Sequence, residues 1–518
     1  MAILGLATER KTGNPTTPLK LSPAEREQGT YVIGTTGTGK TTFLRNLAVE
    51  DMWNNPSEGL CVLDPHGDLT DELLGWVPPS RVGDVVYLNP MDMERPFGLN
   101  LLTCDRTNEH EVRWVVSTIL ETLHRLFWYS WGPRLEHVLQ HTVRTALKVP
   151  DSTFIELLLL LTAQDYRETV IGSKDSVKAN KYGRLDPQQD YLLIKYWYDW
   201  FLKLGPSMQT EVTSSTINKL SPFLLDTMMR NIIGQSESSI DLRSIMDEGK
   251  ILLVNLSKGD LGENNSALLG SVLVNLILIA ALRRRGPQYQ QGRRRFHVIV
   301  DEYQNFANPS FSILQSEARK FGVDLIVAHQ YRDQLDQDSQ GASLNVGNIV
   351  SFRVSGRDSY FLASQFDNTP PPAETRMEPV YKPWPGAPRG TVLYESFQLP
   401  GSEATVYEEV LAQQRPYNDV EAEMANKLST LSNFQAYCRL IRRPESGRSF
   451  LGEYLISTYA KPQVSSQWQA DIRQQCIDRS RQLYGRDRKA VETAILERTG
   501  GRIEDSGPVP GVGYSPMS

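Results

Sequence analysis

Residues Gly34-Thr35-Thr36-Gly37-Thr38-Gly39-Lys40-Thr41 fit the pattern GxxxxGK[ST]. Glycines let a backbone loop close around a phosphate without Cβ clashes, so several N–H groups can face one anion. The stretch from Gly34 through Thr42 is therefore read as a cradle for a triphosphate, with ATP as the nucleotide. Lys40 would reach the β- and γ-phosphates, and the Thr41 hydroxyl would ligate Mg2+. A second pair with chemical potential is Asp301-Glu302. Asp301 is positioned to hold Mg2+ through its water shell, and Glu302 to orient and deprotonate the attacking water. The bland reading is an acidic pair capping a helix that starts near Asn308-Pro309. Two further side chains are candidates. Gln330 is either a sensor of the γ-phosphate or a solvated loop amide. Arg319 is either a finger for a neighbouring subunit's nucleotide or a cation complementing a helix C-terminus.

These groups need elements to hold them. Tyr31-Val32-Ile33 before the loop and a helical pattern from Thr42-Phe43-Leu44 supply the strand–loop–helix context. Phe296–Val300 is a continuous apolar run ending in the acidic pair, as expected of a parallel strand covered on both faces. Ser310–Phe321 reads as a helix stopped by Gly322, and Val323–Ala328 as another buried strand, ending in His329-Gln330.

With Cys61-Val62-Leu63-Asp64-Pro65-His66-Gly67-Asp68 and Asn255-Leu256-Ser257-Lys258-Gly259 added, the ordered motifs resemble the FtsK/HerA superfamily of ring ATPases. Within it, the chain is most similar to the conjugative coupling proteins of type IV secretion, the TraG/TraD type. The likeness covers roughly residues 20–370. It implies that Lys40, Thr41, Asp301, Glu302 and Gln330 form the ATP site and that Arg319 serves the adjacent subunit. It also implies a homo-oligomer, a hexameric ring threading DNA, with a relaxase and a membrane secretion channel as partners. The implied fold class is α/β: a RecA-like P-loop nucleotide-binding domain with a mostly parallel sheet, an inserted all-α domain and a helical C-terminal extension.

Accordingly, residues 1–105 are expected to begin the nucleotide-binding domain, with the P-loop at 34–41. Residues 106–235 form the inserted all-α domain, and 236–400 complete the nucleotide-binding domain, with the Walker B strand at 298–302. Residues 401–498 form a helical region with helices near Asp419–Leu431 and Gln467–Arg498, and 499–518 a disordered Gly/Pro/Ser-rich tail. A strand is expected at Gly390–Tyr394. Within the insert, Leu135, Val138, Leu139 and Val143 recur at i, i+3, i+4. The aromatic stretches Phe127–Trp131 and Tyr196–Phe201 are read as core in preference to base-stacking surfaces. Asp64–Asp68 is read as a loop beside the phosphate site, not a metal site, because no ligand frame accompanies it. Lys258 with Gly259-Asp260-Leu261-Gly262 is a pore-loop candidate.

The 518 residues carry a net charge of −6, which does not advertise a DNA binder. Arg439–Lys489 holds 11 basic and 5 acidic residues, a local +6. Arg283–Arg285 and Arg293–Arg295 are further basic clusters, either phosphate contacts or solvated surface. Four cysteines without CxxC spacing argue for a reduced, intracellular protein. The apolar run Leu268–Leu282 is shorter than the ~20 residues needed to span a bilayer and is read as a sheet-covering helix. No signal sequence and no membrane anchor are expected in the 33 residues ahead of Gly34. The expected location is cytoplasmic, peripheral at the inner face of the membrane if it docks there. The function these observations support is a DNA translocase. An ATPase that recruits a protein substrate, and a nucleotide-gated scaffold with negligible turnover, are the other classes.

Overall fold

The structure, a computed structural model, describes residues 2–9, 17–173, 182–289, 292–306, 309–335, 337–368, 375–379, 407–411, 416–444, 448–460 and 464–500. The strand expected at Gly390–Tyr394, and the tail beyond Gly500, lie outside the described residues. Two compact units result: residues 1–352 with 433–518, and residues 353–432.

The larger unit is organised by one sheet. Its strands in chain order are β1 (Ala2–Glu9), β2 (Thr17–Leu21), β3 (Thr30–Ile33), β4 (Gly59–Asp64), β5 (Val85–Leu88), β6 (Ile251–Asn255), β7 (Phe296–Val300), β8 (Val323–His329) and β9 (Asn348–Ser351). β10 (Thr375–Pro379) and β11 (Tyr407–Leu411) pair antiparallel in the smaller unit, alongside helices Gly356–Ala363 and Tyr417–Thr430. The chain then returns to the large sheet with β12 (Gln435–Arg442) and β13 (Phe450–Ser457). The large sheet has 11 strands in the order β2-β1-β13-β12-β9-β3-β8-β7-β4-β6-β5.

From β9 to β5 every pairing is parallel. β3, β4, β6, β7, β8 and β9 are buried along their whole length, as parallel strands covered on both faces must be. This is the mostly parallel P-loop α/β fold expected from the sequence. The helical C-terminal extension needs correction, because β12 and β13 join the sheet as an antiparallel hairpin. β12 alternates half-buried residues with buried Ala436, Cys438 and Leu440, a period of two that suits one covered face. The long helix expected at Gln467–Arg498 is two helices, Ser466–Tyr484 and Arg488–Thr499, interrupted at Gly485.

Between β5 and β6 the described residues form helices and no strand. The first, Glu109–Leu126, is capped by the Asn108 side chain, which accepts from His110 N at 3.1 Å. Trp197 is fully buried here, its Nε1 donating to Thr145 Oγ1 at 2.9 Å, and Tyr196 and Phe201 are buried with it. That aromatic stretch is core. The other is not, because Trp128 and Tyr129 are 73% and 72% exposed. Helix Glu263–Arg283 is 21 residues long and apolar enough to cross a bilayer. Its residues are mostly buried, and it packs on Glu109–Leu126 and Pro309–Glu317, so it serves as an interior helix.

Under the N-terminal ends of β7 and β8 lies a buried ionic network. Arg26 donates to both oxygens of Asp51, at 2.5 and 2.9 Å, and its Nε lies 3.2 Å from Asp324. His297 places Nδ1 2.6 Å from Asp324 and Nε2 2.8 Å from Glu58. Burial and the Arg26 charge push His297 down, but Asp324 and Asp51 outweigh them and raise it to about 9. Burial would raise Asp324, yet His297 and Arg26 hold it near 2. The histidine contribution is therefore complete below the unfolded value of about 6.5 and lost as pH rises through 9. The Asp324 contribution is complete above about 3.9 and lost as pH falls through 2. Stability against urea is expected to drop between pH 6.5 and 9, and His297→Gln to lose most of that slope. Denaturation midpoints at the two pH values measure it.

Candidate nucleotide site

β3 delivers the chain to the centre of the sheet, and the loop Gly34–Gly39 turns it into helix Lys40–Asn54. Gly37 and Gly39 have φ of +76° and +112°, the left-handed region that favours glycine. A Cβ built on Gly37 would meet nothing within 4 Å, and the residue is exposed, so the loop is open to solvent there. Thr38 is buried and closes the loop by donating from Oγ1 to Thr35 O at 2.7 Å. The buried Lys40 ammonium donates to Gly34 O at 2.6 Å and Thr35 O at 3.3 Å. Burial lowers its pKa, while Glu302 and Asp301 pull it back up. Thr41 is exposed and Thr42 half-buried in the first turn of the helix.

β7 brings Asp301 and Glu302 to the same end of the sheet, one strand removed from β3 across β8. Asp301 is buried, and its Oδ1 accepts Glu302 N at 2.9 Å. Burial, then the charges of Glu302 and Asp64, raise it to about 7 against the opposing pull of Lys40. Glu302 is buried with φ +45°, a backbone that costs a non-glycine residue about 1–3 kcal/mol. Both its oxygens are held by amides: Gln330 Nε2 donates to Oε1 at 3.0 Å and Gln304 Nε2 to Oε2 at 2.7 Å. Gln330 Oε1 in turn accepts Thr36 Oγ1 at 3.1 Å. A hydrogen-bonded path thus runs from the phosphate loop through the amide at the end of β8 to the carboxylate after β7.

Arg319 is not part of this cluster. It sits in the turn Ala318–Phe321 at the start of β8, exposed, donating to Gln28 Oε1 at 3.1 Å. β8 runs parallel to β3, so Arg319 lies at the opposite end of the sheet from its own chain's loop.

Two contributors escaped the sequence reading. His329 is buried beside Gln330, its Nε2 2.5 Å from Tyr31 OH and its ring 5.1 Å from that of Tyr303. Burial, then the Arg332 and Lys40 charges, lower it to about 3, so the imidazole is neutral. Gln304 is an unremarked amide in Tyr303-Gln304-Asn305, and only its position two residues after Glu302 hinted at a role. In the Asp64 loop, the carboxylate accepts His66 N at 2.9 Å and Thr70 N at 3.0 Å. Lys258 donates to Asn305 Oδ1 at 2.6 Å, which ties the pore-loop candidate to the turn following Glu302.

Every arginine of the two basic clusters has a partner within the chain, although only Arg284 is buried and Arg283, Arg285 and Arg294 remain exposed. Arg283 pairs with Glu111, and the fully buried Arg284 with Asp247, Phe321 O and Arg294 O. Arg285 lies over the Phe321 ring. Arg293 donates to Arg284 O, Arg294 to Glu248 O, and Arg295 pairs with Glu27.

The loop open at Gly37, the Lys40 ammonium held on its Gly34 and Thr35 carbonyls and the buried Asp301 carboxylate near that ammonium fit a triphosphate with a hard divalent cation. A raised folded pKa means the folded state keeps the Asp301 proton after the unfolded chain has lost it near 3.9. Without divalent cation, stability is therefore expected to fall as pH rises from about 4 towards 7. Asp301→Asn should flatten that fall, which urea midpoints at pH 4.5 and 6.5 in a chelating buffer would show.

Together, sheet order and site define a P-loop nucleotide-binding fold of the RecA-like kind. Neither a protein-family model nor a curated protein matches the chain by sequence. Among solved structures it is similar to a bacterial conjugative coupling protein, TrwB. The unbound TrwBdeltaN70 matches at a TM-score of 0.51 and 14% identity, over 88% of this chain and 91% of that one. TrwB in complex with ADP and Mg2+ matches at 0.52 and 14%, over 86% and 89%. The fold is shared with TrwB along nearly the whole of both chains.

Proposed function

We propose that this chain is an ATP-hydrolysing motor that moves DNA for conjugative or type IV secretion transfer, working as a homo-oligomeric ring at the cytoplasmic face of the membrane. The observation that carries the reading is the path Thr36–Gln330–Glu302 joined to Asp301 and Lys40. It links the loop that would grip the γ-phosphate to the carboxylate that would activate water. Lys40 and the loop N–H groups bind the phosphates; Thr41 and Asp301 would hold Mg2+. That cation, when bound, neutralises charge on the β- and γ-phosphates. Glu302, fixed by two amides, receives a proton from the attacking water. Gln330 loses or exchanges its Thr36 contact when a phosphate enters, which relays the nucleotide state along β8. Arg319, remote from its own loop, completes a neighbour's site in the ring, and a relaxase and a secretion channel are the expected partners. TrwB binds ADP with Mg2+ and a GTP analogue, which supports a purine nucleotide as the ligand here.

The pairing of Arg283, Arg284 and Arg295 with carboxylates of the same chain favours a second reading, an ATPase whose substrate is a protein and whose contact with DNA is incidental. Steady-state ATP hydrolysis, titrated separately with single-stranded and duplex DNA, decides between them. Stimulation by either DNA supports the motor; a rate indifferent to both supports protein recruitment.

A further inference from the structure

Three non-glycine residues have a left-handed backbone among the described residues: Asp151, Glu302 and Phe434. Glu302 belongs to the nucleotide site, and Phe434, at φ +65°, lies directly against it. Its N–H donates to Thr38 O at 2.7 Å. Its carbonyl accepts Thr458 N at 2.8 Å and Thr458 Oγ1 at 3.2 Å. A Cβ built on Gly39 would come within 2.9 Å of Phe434 Cδ1, so the ring rests on the backbone where the loop becomes helix. Nevertheless Phe434 is 49% exposed. A bulky aromatic held in an unfavourable backbone conformation by three hydrogen bonds, with half its surface in water, is not serving as core.

Resting on the nucleotide-binding reading above, we propose that the exposed face of Phe434 is the platform on which the base of the bound nucleotide stacks. Phosphates seated at Gly37 leave the nucleoside to extend past the first turn of the helix. Thr42, Asn46 and Val49 share one face of that helix by their i, i+4, i+7 spacing. Asn46 Nδ2 donates to Tyr459 O at 3.0 Å, so the Thr458–Tyr459 segment runs from Phe434 to this face. A cavity of about 210 Å³ lined in part by Asn46, Val49 and Tyr459 opens there. Phe434 does not line this cavity, which opens beside the second and third turns of the helix, but the Thr458–Tyr459 segment links the two, so a base on the ring has a partner and the cavity lies beyond it.

Calorimetric titration with ATP and with inorganic tripolyphosphate, on the wild type, Phe434→Asn and Phe434→Trp, tests the platform. Asparagine tolerates the left-handed backbone, so the first variant removes the ring without added strain. ATP affinity should fall by about tenfold or more in Phe434→Asn, with tripolyphosphate affinity unchanged. Phe434→Trp should retain ATP affinity and add an emission that ATP quenches and tripolyphosphate does not. Equal losses for both ligands would mean that the ring only braces the loop, and undiminished ATP affinity in Phe434→Asn would mean that it has no role; either overturns the platform. A wild type that binds ATP but not tripolyphosphate would overturn the phosphate cradle. One that binds neither would remove the nucleotide site, and the platform with it.

Discussion

Glu302→Gln should reduce ATP turnover by a factor of about 10² to 10⁴ while leaving nucleotide affinity close to wild type. The expectation follows from the way the side chain is held. Both carboxylate oxygens accept from amides, Gln330 at 3.0 Å and Gln304 at 2.7 Å, so no rotation is needed before a proton is received. A glutamine in its place is isosteric, and one of the facing amides can flip to accept from its new NH2 group. The Thr36 hydroxyl can donate or accept, so that rearrangement strands no hydrogen-bonding group. What disappears is the basic oxygen. Single-turnover hydrolysis beside equilibrium nucleotide binding separates the two effects. A variant that turns over at the wild-type rate would remove Glu302 from the chemistry.

The second large effect is expected for Lys40→Ala. The ammonium spans Gly34 O and Thr35 O, and Glu302 and Asp301 lie close enough to oppose the burial that lowers its pKa. Its removal takes a charge-assisted contact from the phosphates, a loss of about ten- to a hundredfold in ATP affinity, and turnover should fall to background. It also leaves two buried carboxylates without their cation. Asp301, already near 7 with Lys40 opposing the rise, should move higher. The cation-free stability slope attributed to Asp301 should then extend to higher pH. An alanine variant that binds ATP normally would show that the loop's N–H groups suffice alone.

Much of this site was legible because its residues are constrained by type. Only glycine suits the backbone at positions 37 and 39, and only a long cation at position 40 can reach back over the loop. The apolar runs of β4, β6, β7 and β8 were equally plain, since strands covered on both faces tolerate few polar residues. The rest was hidden for physical reasons. β12 fully buries only Ala436, Cys438 and Leu440 on one face, and Arg439 on the other face with Arg442 at the strand's end read as part of a basic surface rather than as a strand. The arginine clusters gave no sign of their partners, because Asp247, Glu111 and Glu27 are remote in sequence. Trp128 and Tyr129 match the composition of a core and are exposed. Phe434 has no signature at all, because a left-handed backbone at a phenylalanine arises from its tertiary hydrogen bonds and not from any local preference.

The pairing of β1 with β13, Leu6 opposite Ser457 and Thr8 opposite Leu455, gives the molecule a schedule. During synthesis at about 5–20 residues per second, β1 and β2 emerge on the order of tens of seconds before the strand they must join. Over that interval one edge of their hairpin has no partner, and β9 likewise awaits β12. Phe434 directly precedes β12 and reaches Thr38 only once that strand has docked. The phosphate loop, encoded early, is therefore clasped late. A nascent chain halted before β12 would carry the loop sequence without its clasp, so a newly made copy gains its mature grip on nucleotide only after the sheet has closed.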